Sequence, residues 1–339
     1  MQCVLDGAVV ITDGDLIFYH TDFYVEDGIL VIYNGENHLF TDKRYFESAL
    51  KCAKACVYLQ ALAPYQKFLQ VLKVKKIGLI YGYTTASTFT ELQGLGYELF
   101  DCTESFNSVY AKKTESQLTR IKKACEITER AFLDTLPFIK EGVTELELSA
   151  ELEHNFKRLG GGVGFETIVA FGKGSSVPHY KTGNVKLEKN VPILMDFGCV
   201  YNGFLSDITR TLFFGEPTLK FRKVYEVVKN AHLKAVKEIR SGITCGEADA
   251  IARDYLDKCG YGDKFYHSLG HGIGVKVHEF PTLRKNSETA LEDGMVFSVE
   301  PGVYLEGEFG VRIEDTVTLE NGKCVSLMTT DKDLLIIKG

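Results

Sequence analysis

The sequence of 339 residues lacks several patterns that would assign it to a common class of protein. It contains no apolar run long enough to cross a bilayer, so we expect no membrane association. Its opening residues, MQCVLDGAVVITDGD, carry acidic side chains and no basic region, and therefore predict no secretory signal. The net charge of −7 argues against a general nucleic-acid binder.

The cysteines also form no recognised pattern. There are nine of them, an odd number, and no CxxC pair occurs, so neither a disulfide scaffold nor a thiolate zinc site is expected. Free cysteines suit the cytoplasm. The zinc-protease motif HExxH is missing, and GHGIG lacks the GxGxxG spacing of a dinucleotide-binding loop.

Residues 1–112 predict a small α/β domain. The segments AVVITD, DGILVIYNG and KKIGLIYGY are typical of strands. The segment RYFESALKCAKACVYLQALA predicts a helix, which would place Cys52 and Cys56 on one face. This part of the chain contains no cluster of candidate ligands.

Residues 113–339 predict a second domain that contains an internal duplication. A helix begins near Thr114, where TESQ forms a capping box. Residues 121–160 align with residues 221–260 at an offset of 100 without a gap. Both copies predict a long helix, a Gly-x-Thr break, a second helix and a terminal glycine, followed by strands. Two similar halves of this kind can enclose a site between their sheets.

Four carboxylates lie within apolar, strand-like segments of this second domain: Asp196 in ILMDFG, Asp207 in FLSDITRTLFF, Glu300 in VFSVEPGVY and Glu314 in GVRIEDTV. Burying a carboxylate is costly unless a positive charge compensates it, and too few basic residues lie nearby. A pair of divalent metal ions is the economical explanation, with His271 of HSLGHGIG as the fifth ligand. Carboxylate-rich ligation favours Mn²⁺, with Co²⁺, Fe²⁺ and Zn²⁺ as alternatives.

The first pair of carboxylates lies in a predicted hairpin. Asn202-Gly203 suits a two-residue type I′ turn, which would pair Asp196 with Thr209. Asp207 then lies on the same sheet face as Asp196, with Cβ atoms roughly 7–8 Å apart. That separation suits two carboxylates that converge on metal.

The second pair lies in a weaker hairpin. A turn near Gly307 would place Glu300 opposite Glu314, and Pro301 predicts that strand pairing is lost at that point or that the strand lies at an edge.

The histidines are unusually close in sequence. His267, His271 and His278 fall within twelve residues, and His179 lies in an SSVPH loop. The surrounding glycines make a helix improbable for HSLGHGIG. The clustering favours a functional role over the structural role that an isolated histidine usually has.

These residues and their contexts, MDFG, SDITRT, GHGIGVKVHE, VEPGVY and VRIEDT, resemble the pita-bread metallopeptidases of M24 type, in the branch of Xaa-Pro aminopeptidases and Xaa-Pro dipeptidases (prolidases). The resemblance covers nearly the whole chain. It implies an α+β fold in which a smaller α/β creatinase-type N-terminal domain (1–112) precedes a pita-bread catalytic domain with pseudo-twofold duplication (113–339). It also implies a homodimer that acts on proline-containing peptides.

The resemblance further implies a role for each of the five ligands. Asp196 would bind one metal, and His271 with Glu300 would bind the other. Asp207 and Glu314 would bridge the two ions. A hydroxide shared by the metals would attack the scissile carbonyl.

The same resemblance implies roles for the remaining site residues. Glu300 would shuttle the proton. His278 and His179 would contact the developing oxyanion and the leaving imino nitrogen, and His267 would line the substrate pocket. Arg312 would support a ligand carboxylate, although a plain salt bridge on the strand face is the alternative.

The choice between an aminopeptidase and a dipeptidase rests on one departure from the family pattern. Similar prolidases carry an arginine directly after HExP, which would hold the carboxylate of a terminal proline. Here Thr282 stands at that place in HEFPT, and Arg284 lies two residues further. This difference favours an aminopeptidase, with a Xaa-Pro dipeptidase as the first alternative.

Three further alternatives are disfavoured. Methionine aminopeptidases share the ligand set but usually lack a domain such as residues 1–112. A non-catalytic binding protein on this fold, or a metal-free hydrolase of the creatinase kind, would be expected to have lost ligands, and all five are present.

Overall fold

The computed structural model of the protein describes residues 7–338. The chain divides into two units, Met1–Tyr110 and Ala111–Gly339. No helix within the described residues combines the length and the apolar character needed to cross a membrane. The cysteines within those residues are all free thiols.

The first unit is a six-stranded sheet with helices on both faces. The strand order is β4-β3-β2-β1-β5-β6, antiparallel among β1, β2 and β3 and parallel elsewhere. Alternate residues of β1 face two separate apolar clusters, as expected for a central strand. The elements are β1 Gly7–Ile11, α1 Gly14–Thr21, β2 Ile29–Tyr33, β3 Glu36–Thr41, α2 Lys43–Cys52, β4 Cys56–Leu59, α3 Tyr65–Leu72, β5 Lys76–Leu79, α4 Ala86–Gly94, β6 Glu98–Asp101 and α5 Thr103–Ala111.

The three predicted strands are present as β1, β2 and β5. The single helix predicted for RYFESALKCAKACVYLQALA is wrong in its second half, because α2 ends at Cys52 and the chain then forms β4. Parallel pairing with β3 and the stacking of Tyr58 on Phe40, at 4.8 Å between ring centroids, stabilise the strand. Cys52 and Cys56 therefore do not share a helix face.

The second unit contains two antiparallel sheets, ordered β20-β12-β9-β8, with only β20 parallel to its neighbour, and β14-β13-β15-β18-β19. Smaller sheets are formed by β11-β10-β7 and β16-β17. The elements are α6 Glu115–Thr135, α7 Glu145–Arg158, β7 Gly162–Val163, β8 Ile168–Phe171, β9 Val191–Phe197, β10 Cys199–Tyr201, β11 Phe204–Leu205, β12 Ile208–Phe214, α8 Leu219–Glu238, α9 Cys245–Lys258, β13 Gly270–Gly272, β14 Glu279–Leu283, β15 Val296–Val299, β16 Gly302–Leu305, β17 Phe309–Arg312, β18 Asp315–Glu320, β19 Lys323–Ser326 and β20 Ile336–Ile337.

The predicted duplication is confirmed at the level of the helix caps. Helices α7 and α9 begin and end at positions exactly 100 residues apart. Each starts with a capping box, formed by Thr144 and Glu147 in one half and by Thr244 and Glu247 in the other. In each half a helix pair is followed by an antiparallel sheet, so the α+β class is also confirmed.

Candidate metal centre

The first predicted hairpin is present with its predicted register. Asn202 and Gly203 both have positive φ, 45° and 79°, as a type I′ turn requires. Asp196 on β9 pairs with Thr209 on β12. Asp207 lies directly before β12, so the turn places both aspartates at the same end of the sheet.

The second hairpin is also in the predicted register, and it is interrupted at Pro301. The ladders β15–β18 and β16–β17 stop on either side of that residue, which has no N–H. The two glutamates at the break bond to other segments. Glu300 donates its N–H to the carbonyl of Leu269 (2.8 Å), and Glu314 donates its N–H to the carbonyl of Thr209 (3.1 Å). At this break, the backbone of Glu314, directly before β18, is therefore hydrogen-bonded to strand β12 of the other sheet.

Three of the predicted ligands converge most closely. Asp207, His271 and Glu314 each present a ligand atom, and these atoms all lie within 4.8 Å of one another. The Nε2 atom of His271 lies 3.7 Å from the Asp207 carboxylate and 3.3 Å from that of Glu300. Asp196 is outside this trio, because its carboxylate faces Arg312.

The ring of His271 is oriented so that Nε2 faces the carboxylates. Its Nδ1 atom lies 3.2 Å from the carbonyl of Gly272, which can only accept, so Nδ1 carries a proton. Burial alone would lower the pKa of His271, but the hydrogen bond and charge of Glu300 raise it to about 9. Burial likewise raises the pKa of Glu300, and His271 outweighs that effect and holds it at about 2.

Asp207 and Glu314 lack a comparable partner. Oδ1 of Asp207 is buried without a hydrogen bond, and no lysine or arginine within residues 7–338 pairs with either carboxylate. Burial, and after it the charges of neighbouring carboxylates, raises the pKa of both residues well above the usual range. An orphaned carboxylate oxygen beside a second buried carboxylate and an imidazole nitrogen fits a bound divalent cation.

Arg312 connects the two hairpins. Its guanidinium donates from Nη2 to Asp196 Oδ2 (2.5 Å) and from Nε to Thr209 Oγ1 (2.9 Å). The Thr209 hydroxyl in turn donates to Glu314 Oε2 (2.6 Å). One guanidinium therefore orients two predicted ligands that come from different halves of the duplication.

Tyr304 belongs to the same network, and sequence reasoning missed it. Its hydroxyl accepts from Arg312 Nη1 (2.9 Å) and lies 2.9 Å from His267 Nε2. The hairpin register contained the signal, because Gly302 pairs with Arg312 and Tyr304 lies two residues further on the same face. A larger residue at position 302 would displace Tyr304, since a Cβ atom there would lie 2.6 Å from the Tyr304 hydroxyl.

The histidines proposed for substrate contact occupy different environments. His267 uses both ring nitrogens, since Nδ1 also contacts the carbonyl of Ser268 (2.9 Å), and burial lowers its pKa. His278 is exposed, with its ring centroid 4.2 Å from that of His271. Burial of part of its surface, and then the charge of His271, lowers the pKa of His278, and His179 contributes in the same direction. His179 is exposed as well.

Two family models match the chain. Metallopeptidase family M24 matches residues 119–321, and the Creatinase/Prolidase N-terminal domain matches residues 5–109. Among curated proteins, the Xaa-Pro dipeptidase of Pyrococcus furiosus is 34% identical over 315 residues, which cover 91% of this chain and 89% of that protein.

Solved structures are similar over almost the entire length. An X-Pro aminopeptidase from Thermotoga maritima MSB8 is 34% identical, with a TM-score of 0.92, and the match covers 97% of this chain and 95% of the other. A Xaa-Pro dipeptidase from Bacillus anthracis is also 34% identical, with a TM-score of 0.93 and the same coverage. Similar chains thus carry the names of both peptidase types.

Proposed function

This chain belongs to metallopeptidase family M24, and we propose that it is an aminopeptidase that hydrolyses the Xaa-Pro bond at the N-terminus of peptides with two bound divalent metal ions. Its fold is the pita-bread catalytic domain preceded by a creatinase-type domain, and it is a hydrolase. The observation that supports metal-dependent catalysis best is the buried, unpaired Oδ1 of Asp207 beside Glu314 and His271.

The proposed ligand set assigns a cation to each of the four carboxylates of the site. Asp207 and Glu314 would contact both ions, Asp196 one ion, and His271 and Glu300 the other. Mn²⁺ is the ion that this oxygen-rich set favours. When bound, the ions supply Lewis-acid chemistry, which lowers the pKa of a water molecule and polarises a carbonyl group.

The protein residues would bind the peptide and move the proton. Glu300 is held by Ser298, whose hydroxyl donates to Oε1 at 3.1 Å, and it would take the proton of the attacking water and pass it to the leaving nitrogen. His278 and His179 would form hydrogen bonds to the developing oxyanion and to the leaving imino nitrogen. Arg312 would keep Asp196 in place through its hydrogen bond to that carboxylate.

An Xaa-Pro bond is a tertiary amide without an N–H, so a site for it needs shape rather than a hydrogen-bond acceptor at that nitrogen. Aromatic rings are available beside the ligands. Tyr266 stacks on Tyr304 at 6.0 Å between centroids, and His267 lies 5.6 Å from the same ring. Tyr304 is fully buried, so the exposed ring of Tyr266 and the partly exposed ring of His267 are the flat surfaces that support recognition of a proline ring.

Thr282 supports the choice of an aminopeptidase. It pairs directly with His271, so its exposed side chain projects from the same sheet face as that ligand. A threonine there cannot neutralise the carboxylate of a C-terminal proline. The second candidate is a Xaa-Pro dipeptidase, favoured by Arg284, which is exposed just beyond the end of β14.

The proposal is tested with the purified full chain, loaded separately with Mn²⁺, Co²⁺ and Zn²⁺. The substrates are Gly-Pro, a longer Xaa-Pro-Xaa peptide, and the same peptide with alanine in place of proline. We expect cleavage of the longer proline peptide alone or in strong preference. Cleavage of Gly-Pro alone would establish the dipeptidase instead, and no cleavage with any metal would refute both.

A further inference from the structure

Glu145 closes the loop that carries His179. The side chain is fully buried at the first position of α7. Its Oε1 accepts the N–H of Phe171 (2.8 Å), and Oε2 accepts the N–H of Gly183 (3.0 Å) and the hydroxyl of Tyr180 (3.1 Å). Phe171 and Gly183 flank residues 172–182, so one carboxylate holds together the two ends of that loop.

Hydrogen bonds rather than an ion pair satisfy this carboxylate within the described residues. No lysine or arginine within residues 7–338 forms an ion pair with Glu145, and burial raises its pKa although the three hydrogen bonds act in the opposite direction. A buried carboxylate is costly unless hydrogen bonds replace its hydration. Two of the three donors flank the loop and the third belongs to it, so the hydrogen bonds of the buried carboxylate stabilise the loop.

The duplication shows that the helix itself does not need the carboxylate. At an offset of 100, Cys245 takes the place of Glu145, and it is equally buried at the first position of α9. Helix α9 has the same length and the same capping box as α7. A helix of this length with this capping box therefore forms with a thiol in place of the carboxylate.

The second half of the duplication contains a comparable anchoring carboxylate one helical turn further along α9. Asp249 on α9 accepts the N–H of Leu269 (3.0 Å) and pairs with Arg253. Arg253 donates to the carbonyls of Phe265 (3.0 Å) and His267 (2.8 Å). The equivalent helix of each half thus anchors a segment that carries one of the proposed substrate histidines.

The middle of the loop contacts the hairpin that contains Arg312. Gly310 donates its N–H to Ser175 Oγ (2.9 Å), and the carbonyl of Pro178 lies 3.5 Å from Arg312 Nη1. With its ends held by Glu145 and its middle held by this hairpin, the loop has a defined path next to the ligands. His179 follows Pro178 directly.

We propose that Glu145 is a positioning residue for His179, acting through the hydrogen bonds that close the loop of residues 172–182. The inference rests on the proposed function, because it takes His179 to contact the peptide during hydrolysis. A small displacement of a catalytic group costs a large share of the rate, so the effect falls on kcat rather than on metal binding.

The main variant is Glu145→Gln. A glutamine has the same shape but presents one acceptor oxygen in place of two, so the N–H of Phe171 or Gly183 loses its partner. We expect kcat to fall about tenfold with an unchanged metal content. The matched control is Glu147→Gln, which removes a carboxylate from the exposed capping box of the same helix, and it should retain wild-type kcat.

Two further measurements separate positioning from a general structural effect. In a double-mutant cycle, adding Glu145→Gln to His179→Ala should lower kcat little beyond His179→Ala alone, since both act through one group. Hydrogen exchange of the amides of residues 171–183 should accelerate in Glu145→Gln and not in Glu147→Gln. If Glu145→Gln fails to fold, Tyr180→Phe removes a single bond of the same set and should show a smaller change in the same direction.

The outcomes are distinguishable. Equal kcat values for Glu145→Gln and Glu147→Gln, or fully multiplicative losses in the cycle, would overturn the positioning role while leaving the proposed function intact. An inactive, metal-loaded wild-type protein would instead refute the proposed function and, with it, the catalytic part of the inference. In that case the exchange data alone would still decide whether Glu145 closes the loop.

Discussion

Arg312 and Asp196 are joined by a hydrogen bond of 2.5 Å from Nη2 to Oδ2, and both side chains are largely buried. Burial raises the pKa of Asp196, and the guanidinium opposes that effect. The remaining nitrogens of Arg312 are also engaged, since Nε donates to Thr209 and Nη1 to Tyr304. The arginine therefore sets the direction of one predicted ligand and, through Thr209, of a second.

Replacing this guanidinium with a single ammonium should loosen the metal site. We expect Arg312→Lys to weaken metal binding about 10- to 100-fold, because lysine cannot contact Asp196, Thr209 and Tyr304 at once. Competition with a chelator of known affinity measures the change. Arg222→Lys, at an exposed position of α8, is the control and should bind metal as the wild type does. Equal affinities for both variants would contradict the role assigned to Arg312.

Asp207→Asn should act in opposite directions with and without metal. Removing the charge relieves a buried carboxylate whose Oδ1 has no hydrogen-bond partner, so the chelated variant should melt at a higher temperature than the chelated wild type, by about 2–4 °C for each kcal/mol relieved. Added Mn²⁺ should raise the melting temperature of the wild type and hardly that of the variant, which should also be inactive. Thermal denaturation with and without chelator measures both effects.

The matched control for this pair of measurements is Asp254→Asn, an exposed aspartate on α9. It should melt like the wild type in both conditions and remain active. A chelated Asp207→Asn protein that is less stable than the chelated wild type would show that the carboxylate is compensated by something other than metal.

The predicted features that the structure confirms depend on local chemistry. The Asn202-Gly203 turn sets the register of its hairpin, and Pro301 sets the interruption of the other, so both carboxylate pairs could be placed from sequence. The error at Cys56–Leu59 has the opposite origin. That segment becomes a strand because β3 lies beside it, and a pairing partner distant in sequence leaves no local periodicity to recognise.

Side-chain networks that cross between segments were not predictable in the same way. Tyr304 could have been placed beside Arg312 from the register alone, but its contact with His267 depends on how the loop before β13 returns to the sheet. Glu145 is similar. Its sequence context indicates only the start of a helix, and its partners Phe171 and Gly183 lie far along the chain.

The two capping boxes make a prediction about stability and its pH dependence. Thr144→Ala and Thr244→Ala should each lower the melting temperature by about 2–4 °C, since each removes an equivalent N-cap. The backbone N–H groups of these threonines, and after them the threonine hydroxyls, lower the pKa of Glu147 and Glu247 from the ordinary 4.5, and the alanine variants lose the contribution of the hydroxyls. This stabilisation is therefore present above pH 4.5 and is lost as the pH falls through the lower pKa of the folded state.

Melting curves between pH 3 and pH 7 check this prediction. The difference between wild type and each alanine variant should shrink towards pH 3, because a protonated glutamate no longer gains from the threonine hydroxyl that the variant lacks. Equal effects of the two substitutions are expected from the duplication. A difference that grows as the pH falls would contradict the assigned sign.

Thr282→Arg should shift the preference towards dipeptides. Thr282 pairs with His271, so an arginine at this position would extend from the same sheet face as the ligand, where it can bind the carboxylate of a C-terminal proline in a bidentate manner. We expect KM for Gly-Pro to fall at least about tenfold, with little change for a longer Xaa-Pro-Xaa peptide, whose proline carries no free carboxylate. Steady-state kinetics on the two substrates measure the shift.

Arg284→Ala is the companion variant, because Arg284 is the exposed arginine nearest in sequence to that position. If Arg284 already binds the proline carboxylate, its removal raises KM for Gly-Pro, and Thr282→Arg adds little to a site that is already complete. If it does not, Arg284→Ala is silent and Thr282→Arg creates the carboxylate contact. The two variants together therefore show whether an arginine after HEFP is what separates the dipeptidase from the aminopeptidase in this chain.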